Sequence, residues 1–277
     1  MIDGNTILIA HLGYPTTTFK APLIYNPYFD KAGINAAVMT MGVKSEDYEG
    51  LLRPLFKLTN IRGALVTMPH KVKTVHLLDE VTTAVRISGS CNAILKRSDG
   101  SLLGDMFDGE GFVRAVRRKG FLPTGKNILV VGSGGVGSAI AASFAAAGVG
   151  AIAVYDADNG AMSNLADRLR THYPKLSVQM GTRDPAGYDL VVNATPLGMN
   201  AGDPMPVDVA RISPTTLVGD VVMKQEMTPF LTAANARGCK IQVGIDMLFE
   251  QIPAYLEFFG FPSTSPEELI RLAEIRY

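Results

Sequence analysis

The sequence predicts an α/β protein with two domains. Short segments of β-branched and apolar residues alternate with helical patterns along most of the chain, as is typical of parallel sheets whose strands are joined by helices. The length of 277 residues favours two domains of ordinary size over one. The pattern changes near Gly109, where a new series of strands and helices begins. We therefore expect domain boundaries near residues 108–112 and near residue 244.

Composition excludes several classes of protein. Hydrophobic residues make up 47% and charged residues 19% of the chain, which excludes disordered, collagen-like and coiled-coil proteins. The 26 Lys and Arg residues balance 26 Asp and Glu residues, so no basic excess indicates a nucleic-acid partner. The two cysteines favour a reducing compartment, and the four scattered histidines predict no metal site. We find no signal-peptide pattern and no bilayer-length apolar stretch, and we expect a cytoplasmic protein without membrane contact.

Strands and helices alternate in both halves of the chain. In the first half, the predicted strands are residues 6–11, 36–41 and 64–67, the predicted helices are 22–32, 47–58 and 71–78, and a hairpin joins 92–96 to 101–104. In the second half, predicted helices 111–119 and 138–147 accompany strands at 127–131, 151–155, 177–180, 190–193, 217–220 and 240–243. From residue 246 the pattern is helical, up to a last helix at 266–275. We expect these C-terminal helices to return to the first domain.

A glycine-rich turn joins the strand at 127–131 to an alanine-rich helix. The turn consists of Gly132, Ser133, Gly134, Gly135, Val136 and Gly137. In this strand–turn–helix context the first glycine allows the tight turn, the second lets a pyrophosphate approach the backbone, and the third lets helix and strand pack closely. The helix N-terminus then presents unpaired N–H groups to the phosphates. These residues predict a Rossmann dinucleotide-binding domain.

Cofactor choice is predicted from the end of the next strand. Asp156 lies 24 positions after Gly132 (156 − 132), where a carboxylate accepts hydrogen bonds from the adenosine ribose and repels a 2′-phosphate. The nearest following basic residue is Arg168. We therefore expect NAD as cofactor, with NADP less favoured, and we expect Asp156 and Ala157 to contact it. An alternative or additional role for Asp156 or Asp158 is to cap the next helix.

Seven short motifs occur in a fixed order over about 240 residues. They are Gly13-x-Pro15 with Pro22 and Asn26, Gly63 to Lys71, Gly89-Ser-Cys-Asn92, Asp108-Gly109-x-Gly111, Asn193-Ala-Thr195-Pro-Leu-Gly198-Met199, Asp220 with Thr228-Pro229, and Gly244-x-x-Met247-Leu248-x-x-Gln251. Each motif is short, but the whole series is hard to obtain by chance. On these motifs the chain resembles the shikimate dehydrogenase family from end to end.

The resemblance implies a fold and a reaction. It implies an N-terminal α/β substrate-binding domain (residues 1–108 with 245–277), a Rossmann domain (109–244), and an active-site cleft between them. It also implies an NAD(P)-dependent alcohol dehydrogenase of the shikimate/quinate type, which transfers a hydride between the dinucleotide and a secondary hydroxyl of a cyclic hydroxy acid. We expect a monomer or a homodimer.

By the same resemblance, Lys71 and Asp108 form the catalytic pair. Oxidation of a secondary alcohol needs a base for the hydroxyl proton while the hydride leaves for the nicotinamide. A lysine can act as this base if its pKa is lowered, whereas a neighbouring carboxylate orients the lysine but by itself raises that pKa. The sequence leaves open which of the two is the base.

The resemblance assigns further residues to the two ligands. Asn92 and Gln251 are expected to bind substrate hydroxyls, and Thr67 lies where the family has a polar substrate contact. Phe19, Ala21 and Met223 occupy further substrate positions. The cofactor residues beyond the glycine turn are expected to be Thr195, Pro196, Met199, Val221 and Gly244.

The chain departs from the family mainly at substrate positions. The family usually binds the substrate carboxylate with two hydroxyls in S-x-S-P, where this chain has Phe19-Lys20-Ala21-Pro22. Three other polar contacts are replaced by Leu65, Phe107 and Met223. Lys20 could bind the carboxylate instead or be an exposed helix-start residue. These changes predict a less hydroxylated or more apolar substrate than shikimate.

Two other functions remain open at this stage. One is an NAD-binding regulatory or sensor protein that has lost turnover, although such a protein has no need of both Lys71 and Asp108. The other is a folate-type methylene dehydrogenase with a similar two-domain architecture, which the Asp108-Gly109 and Gly244 to Gln251 segments disfavour.

Overall fold

The computed structural model describes residues 2–275 of the chain. These residues divide into two compact units. Unit 1 comprises residues 2–85, 89–107 and 252–275, and unit 2 comprises residues 86–88 and 108–251.

Unit 1 is built on a mixed six-stranded sheet. Its strands are β1 (Ile7–Gly13), β2 (Ala36–Gly42), β3 (Ile61–Val66), β4 (Glu80–Val81), β5 (Ala93–Lys96) and β6 (Leu102–Asp105), in the order β2-β1-β3-β5-β6-β4. β1 pairs in parallel with β2 and β3, whereas β5 is antiparallel to both β3 and β6. The predicted hairpin is therefore present, and its insertion beside β3 makes the sheet mixed. β4 was not predicted.

Four helices follow these strands in the first part of the chain. They are α1 (Pro22–Ala32), α2 (Tyr48–Leu55), α3 (Lys71–Thr74) and α4 (Thr83–Ser88). α1 ends at Gly33, whose φ of 65° favours glycine. The single helix predicted at 71–78 is a short α-helix followed by a 3-10 turn at Val75–Leu77, and α4 was not predicted.

Unit 2 contains a six-stranded sheet in which all strands are parallel. The strands are β7 (Asn127–Val131), β8 (Ala151–Tyr155), β9 (Ser177–Met180), β10 (Leu190–Asn193), β11 (Leu217–Asp220) and β12 (Lys240–Gln242), in the order β12-β11-β10-β7-β8-β9. The chain reverses its direction of winding between β7 and β10. In doubly wound sheets, ligands bind outside the carboxyl ends of the strands at this switch point.

Helices cover the sheet of unit 2. They are α5 (Asp108–Arg118), α6 (Gly135–Ala146), α7 (Asn159–His172), α8 (Pro229–Ala236) and the first part of α9 (Gly244–Phe258). α5 packs closely on α6, because a Cβ on Gly109 would lie 2.5 Å from Ser143 Oγ and closer still to the Ala139 backbone. Each sheet face of unit 2 packs against a continuous buried apolar cluster.

The end of the chain completes unit 1. α9 continues to Phe258, and α10 (Pro266–Leu272) follows. Phe259 lies against the sheet, where a Cβ on Gly63 would be 2.5 Å from its ring. Phe261 packs on Phe29 of α1, with ring centroids 5.1 Å apart. No helix within residues 2–275 combines the length and hydrophobicity needed to cross a bilayer.

Candidate active site

The glycine turn of unit 2 has the geometry that the sequence predicts. Gly132 has φ 109°, and a Cβ there would lie 2.7 Å from the Ala194 backbone, on the loop after β10. Gly137 packs so tightly on the Gly132 carbonyl that no side chain fits. Gly134 caps α6 in an extended conformation, and Ser138 Oγ donates to the Ser133 carbonyl at 2.9 Å. The turn thus holds the start of α6 at the switch point.

A polar atom in this turn has no partner within the described residues. Ser133 is 6% exposed, and its Oγ is buried without a hydrogen-bond partner. Buried hydroxyls are normally hydrogen-bonded, so an unpaired one beside a glycine turn fits a ligand that supplies oxygen atoms. The residues present therefore fit a dinucleotide pyrophosphate.

Both carboxylate oxygens of Asp156 accept hydrogen bonds from backbone N–H groups. One carboxylate oxygen accepts a hydrogen bond from Ser133 N at 2.6 Å, and the other accepts from Asp158 N at 2.9 Å. Asp158 caps α7 by accepting from Gly160 N and Ala161 N. Asp156 therefore connects the end of β8 to the glycine turn, and Asp158 has the capping role that the sequence left open. Ala157 is exposed between them.

A buried polar network fixes the loops after β10 and β11. Asn193 Nδ2 donates to Asp220 Oδ1 at 3.1 Å, and Asn193 Oδ1 accepts from Thr195 Oγ1 at 2.6 Å. Thr228 Oγ1 donates to the other oxygen of Asp220 at 2.7 Å, and Val222 N donates to Asp220 Oδ1. Burial raises the pKa of Asp220, which is fully inaccessible. The network places Thr195 at the carboxyl end of β10, next to the glycine turn.

The other predicted cofactor residues lie on the same loops. Pro196 and Met199 are exposed, and Val221 is half-buried directly after β11. Gly244 begins α9, and a Cβ there would lie 3.0 Å from the Val221 carbonyl oxygen. Met223, predicted at the substrate, is 50% exposed on the loop after β11.

Asp108 and Gln251 are both buried polar residues of unit 2. Asp108 is the first residue of α5 and is 5% exposed. Gly111, one turn later, faces Gln251 so closely that a Cβ there would be 2.7 Å from Gln251 Cβ. Gln251 is 6% exposed, and its Oε1 is buried without a partner among the described residues. α5 and α9 therefore pack together, and each carries a buried polar side chain, that of Gln251 with an unsatisfied acceptor.

In unit 1, the turns after β1 and β3 are joined. Thr67 N donates to the Leu12 carbonyl and Tyr14 N donates to the Met68 carbonyl, at 2.9 and 3.0 Å. Gly13 permits this approach, because a Cβ there would lie 2.5 Å from Thr67 Cγ2. The turn after β3 then leads into α3, whose first residue is the half-buried Lys71.

Asn92 is held beside Lys71 by the backbone. Cys91 N donates to the Lys71 carbonyl at 2.9 Å, and Asn92 is 2% exposed. Asn92 Oδ1 accepts from Phe107 N at 2.9 Å. Phe107 in turn packs against Tyr255 and Phe258, with ring centroids 4.7 and 5.3 Å apart. Unit 1 thus brings Thr67, Lys71 and Asn92 to one place, with an aromatic cluster behind Asn92.

His11 also lies in this region and was not predicted as a site residue. It is 9% exposed on β1, and its ring stacks on Phe19 with centroids 4.1 Å apart. Burial, together with the smaller effect of the nearby positive charge of Lys71, lowers the pKa of His11 to about 4. A polar residue inside an otherwise apolar strand was the only sequence signal for it.

Ala21 precedes α1 and is half-buried.

No metal centre accompanies these residues. Among residues 2–275, no group of three His, Cys, Asp or Glu side chains is arranged to hold an ion. Cys91 and Cys239 are both buried free thiols.

Comparisons with known proteins agree with this arrangement. Residues 12–94 match the family model described as the shikimate dehydrogenase substrate binding domain, and residues 124–172 match the ThiF family model. The shikimate dehydrogenase (NADP(+)) of Rubrobacter xylanophilus is 36% identical over 254 residues, covering 90% of this chain and 89% of the relative. That of Rhodospirillum rubrum is 33% identical over 272 residues, covering 94% of each chain.

The chain belongs to the shikimate dehydrogenase family. It is an oxidoreductase of the NAD(P)-dependent alcohol dehydrogenase class, so the recognition, the fold class and the enzyme class that the sequence predicted are confirmed.

Solved structures of this family share the fold. Shikimate 5-dehydrogenase from Listeria monocytogenes, in complex with shikimate and NAD, has a TM-score of 0.91 and 24% identity, covering 98% of this chain and 97% of that one. Quinate dehydrogenase from Corynebacterium glutamicum, in complex with NAD, has a TM-score of 0.85 and 26% identity, covering 96% and 98%.

The prediction of NAD as the cofactor is wrong. The curated relatives at 36% and 33% identity are both NADP(+) enzymes, and they match nearly the whole chain. The physical reason lies at Asp156, whose two carboxylate oxygens already accept backbone N–H groups. A carboxylate whose oxygens already accept backbone hydrogen bonds does not reliably predict ribose binding. The two N–H donors also partly offset its negative charge, which weakens its repulsion of a 2′-phosphate.

Proposed function

We propose that this chain catalyses reversible hydride transfer between NADP and a secondary ring hydroxyl of a cyclic hydroxy acid of the shikimate/quinate type. The observation that carries the proposal is the retention of Lys71 and Asp108 at the family's two catalytic positions, in a chain with a complete glycine turn. In this proposal unit 1 binds the substrate and unit 2 binds the dinucleotide. The match of residues 12–94 to the substrate-binding family model supports that division.

In the proposed reaction, Lys71 and Asp108 handle the hydroxyl proton. One of them accepts it as the alcohol is oxidised, and the other orients the hydroxyl and the protonated group. The nicotinamide, when bound, supplies the hydride acceptor or donor. Asn92 and Gln251 hydrogen-bond the remaining substrate oxygens, which is consistent with the burial of both and with the unpaired Gln251 Oε1.

The proposed NADP site uses the glycine turn, the loops with Thr195 and Val221, and a cation near Tyr155. Arg183 lies three residues after β9, the strand next to β8, and its guanidinium is 5.7 Å from the centre of the Tyr155 ring. It also lines an open cavity of about 470 Å³ together with Arg211, Asp184 and Asp208, and Arg211 forms a bidentate pair with Asp184. Within residues 2–275, Arg183 has no such carboxylate partner, which leaves it suited to a 2′-phosphate.

The proposed substrate carries fewer hydroxyls than shikimate. Leu65 and Phe107 are 5% and 9% exposed, and Phe19 is half-buried against the His11 ring. Each substrate oxygen left unpaired at such positions costs about 1–3 kcal/mol. Three such losses would reduce kcat/KM by about two to seven powers of ten.

Steady-state kinetics test this function. We would measure kcat/KM with NADP for shikimate, quinate and cyclic hydroxy acids with fewer ring hydroxyls. We expect the highest value for an acid with fewer hydroxyls than shikimate. Turnover of none of them would refute the function, and a highest value for shikimate would refute the substrate preference alone.

We also propose a cytoplasmic location, supported by two thiols that remain unpaired. A monomer or a homodimer is the expected assembly, which size-exclusion chromatography with light scattering would determine.

A further inference from the structure

His11 is a buried polar residue without a hydrogen-bond partner at Nδ1. Its neighbours on β1, Ala10 and Leu12, are fully buried, and the ring itself is 9% exposed. Among the described residues, no group is hydrogen-bonded to Nδ1. Because an unpaired buried nitrogen destabilises the folded protein, its presence indicates a partner that the protein chain does not supply.

His11 lies between two positions at which this chain has an apolar residue in place of a polar residue of the family. Its register partner on β3 is Leu65, so their side chains lie on the same face of the sheet. Leu65 stands where the resemblance places a family asparagine. On its other side, the His11 ring stacks on Phe19, which stands where the family has the first carboxylate-binding hydroxyl. His11 is therefore a polar group between two apolar replacements.

The surroundings of His11 favour an anionic oxygen. Lys71 lies near enough for its positive charge to act on the ring, and it lowers the pKa of His11 in addition to the larger effect of burial. A neutral imidazole can donate one N–H, and a positive neighbour disfavours a second proton but attracts a carboxylate. Both effects suit an imidazole that donates to a substrate carboxylate.

We propose that His11 Nδ1 donates a hydrogen bond to the carboxylate of the substrate and replaces the hydroxyl that the family places at Phe19. His11 is thereby a specificity-determining residue for an acid whose ring packs against Phe19 and Leu65. This inference rests on the proposed function, because it takes a cyclic hydroxy acid as the substrate.

The test compares kcat/KM of the wild type, H11N, H11Q and H11L, with NADP and the hydroxy acid that the wild type oxidises best. An asparagine amide stands near the Nδ1 position, whereas a glutamine amide stands near the Nε2 position. We expect H11Q and H11L to lose about tenfold to a hundredfold, mainly through KM, and H11N to stay within about threefold. H76L, at an exposed histidine of the same unit, is the matched control.

A substrate analogue that lacks the carboxylate tests whether His11 binds that group. For the analogue in which hydrogen replaces the carboxylate, the four proteins should have equal kcat/KM. Wild-type kinetics in H11L, or equal values in H11N and H11Q, would overturn the proposal. If H11L does not fold by circular dichroism, the comparison of H11N with H11Q decides. A wild type that oxidises no cyclic hydroxy acid refutes the proposed function itself, whereas an active wild type with unaffected variants refutes only the role of His11.

Discussion

At the scale of single residues, two lysines that look equivalent in the sequence differ in their surroundings in the structure. Lys71 begins α3 next to the backbone of Cys91, where its charge acts on His11, whereas Lys73 in the same helix forms a surface ion pair with Glu49. The two lysines are two positions apart, but only Lys71 lies beside a buried unpaired nitrogen. This difference makes Lys73 a matched control for Lys71.

Replacing Lys71 with alanine should reduce kcat by about 10²–10⁴-fold, because a positioned proton-transfer group contributes about that factor. The dissociation constant for NADP should stay unchanged, since the proposed dinucleotide residues are elsewhere. Stopped-flow kinetics and calorimetric titration measure the two quantities, with K73A as the control. Unchanged turnover in K71A would contradict a role for Lys71 in proton transfer.

Replacing Arg183 with alanine should weaken NADP binding by about tenfold or more and leave NAD binding unaffected. The reason is that only NADP carries the 2′-phosphate that the guanidinium would bind. Titration with adenosine 2′,5′-bisphosphate and with AMP isolates this contact from turnover. R170A, at an arginine paired with Asp167 on α7, is the control, and equal losses for both nucleotides would contradict the assignment.

Neither His11 nor Arg183 was predictable from the sequence, for one physical reason. Each becomes significant only through a neighbour on an adjacent strand: His11 through Leu65 on β3, and Arg183 through Tyr155 on β8. Periodicity shows which face of a strand is buried, but it does not show which strands pair. Lys71 and Asp108 were found because motifs surround them, and their catalytic roles remain predictions.

At the scale of elements, the strands of unit 2 were the most predictable part. Five of its six strands have the predicted bounds. Four of these five are short runs of mostly apolar residues that are buried on both faces, whereas β9 is largely exposed at the sheet edge. In the first part of the chain, β4 has two residues and α4 six, lengths at which pattern carries little information. α5 begins at Asp108 rather than at the predicted 111, since the acidic first turn extends the helix.

Thr228 links an element boundary to the site. Its Oγ1 accepts from Leu231 N, which caps α8, and donates to Asp220. T228A should lower the free energy of unfolding by about 1–3 kcal/mol, because it removes a cap and leaves a buried carboxylate oxygen without its donor. Urea unfolding measures this, and T232A, at an exposed threonine of the same helix, should change it by less than about 0.5 kcal/mol. Equal effects would show that the network contributes no stability.

At the scale of the whole molecule, stability should decrease as the pH falls from about 6.5 to about 4. Burial lowers the pKa of His11 from 6.5 to about 4, so in this window the unfolded chain binds a proton that folded His11 does not. The difference corresponds to about 3 kcal/mol. Burial also lowers the pKa of His70, which contributes in the same direction.

Urea unfolding at pH 7, 5.5 and 4.5 checks this dependence. The free energy of unfolding of H11N should fall less steeply than that of the wild type, because asparagine does not titrate. Parallel curves for the two proteins would contradict the shifted pKa of His11.

The helix α9 has a practical consequence for anyone who divides this protein. Its residues up to Gln251 belong to one unit and those from Ile252 to the other. A fragment that stops at residue 107 would lack Phe259 and Phe261, which cover Gly63 and Phe29. Its sheet would then be exposed to solvent at a large apolar face, so such a piece should aggregate when expressed alone. A substrate-binding fragment made by simple truncation is thus a poor substitute for the intact chain. A fragment in which a flexible linker joins residue 107 to residue 252 would keep Phe259 and Phe261, and its apolar face would stay covered.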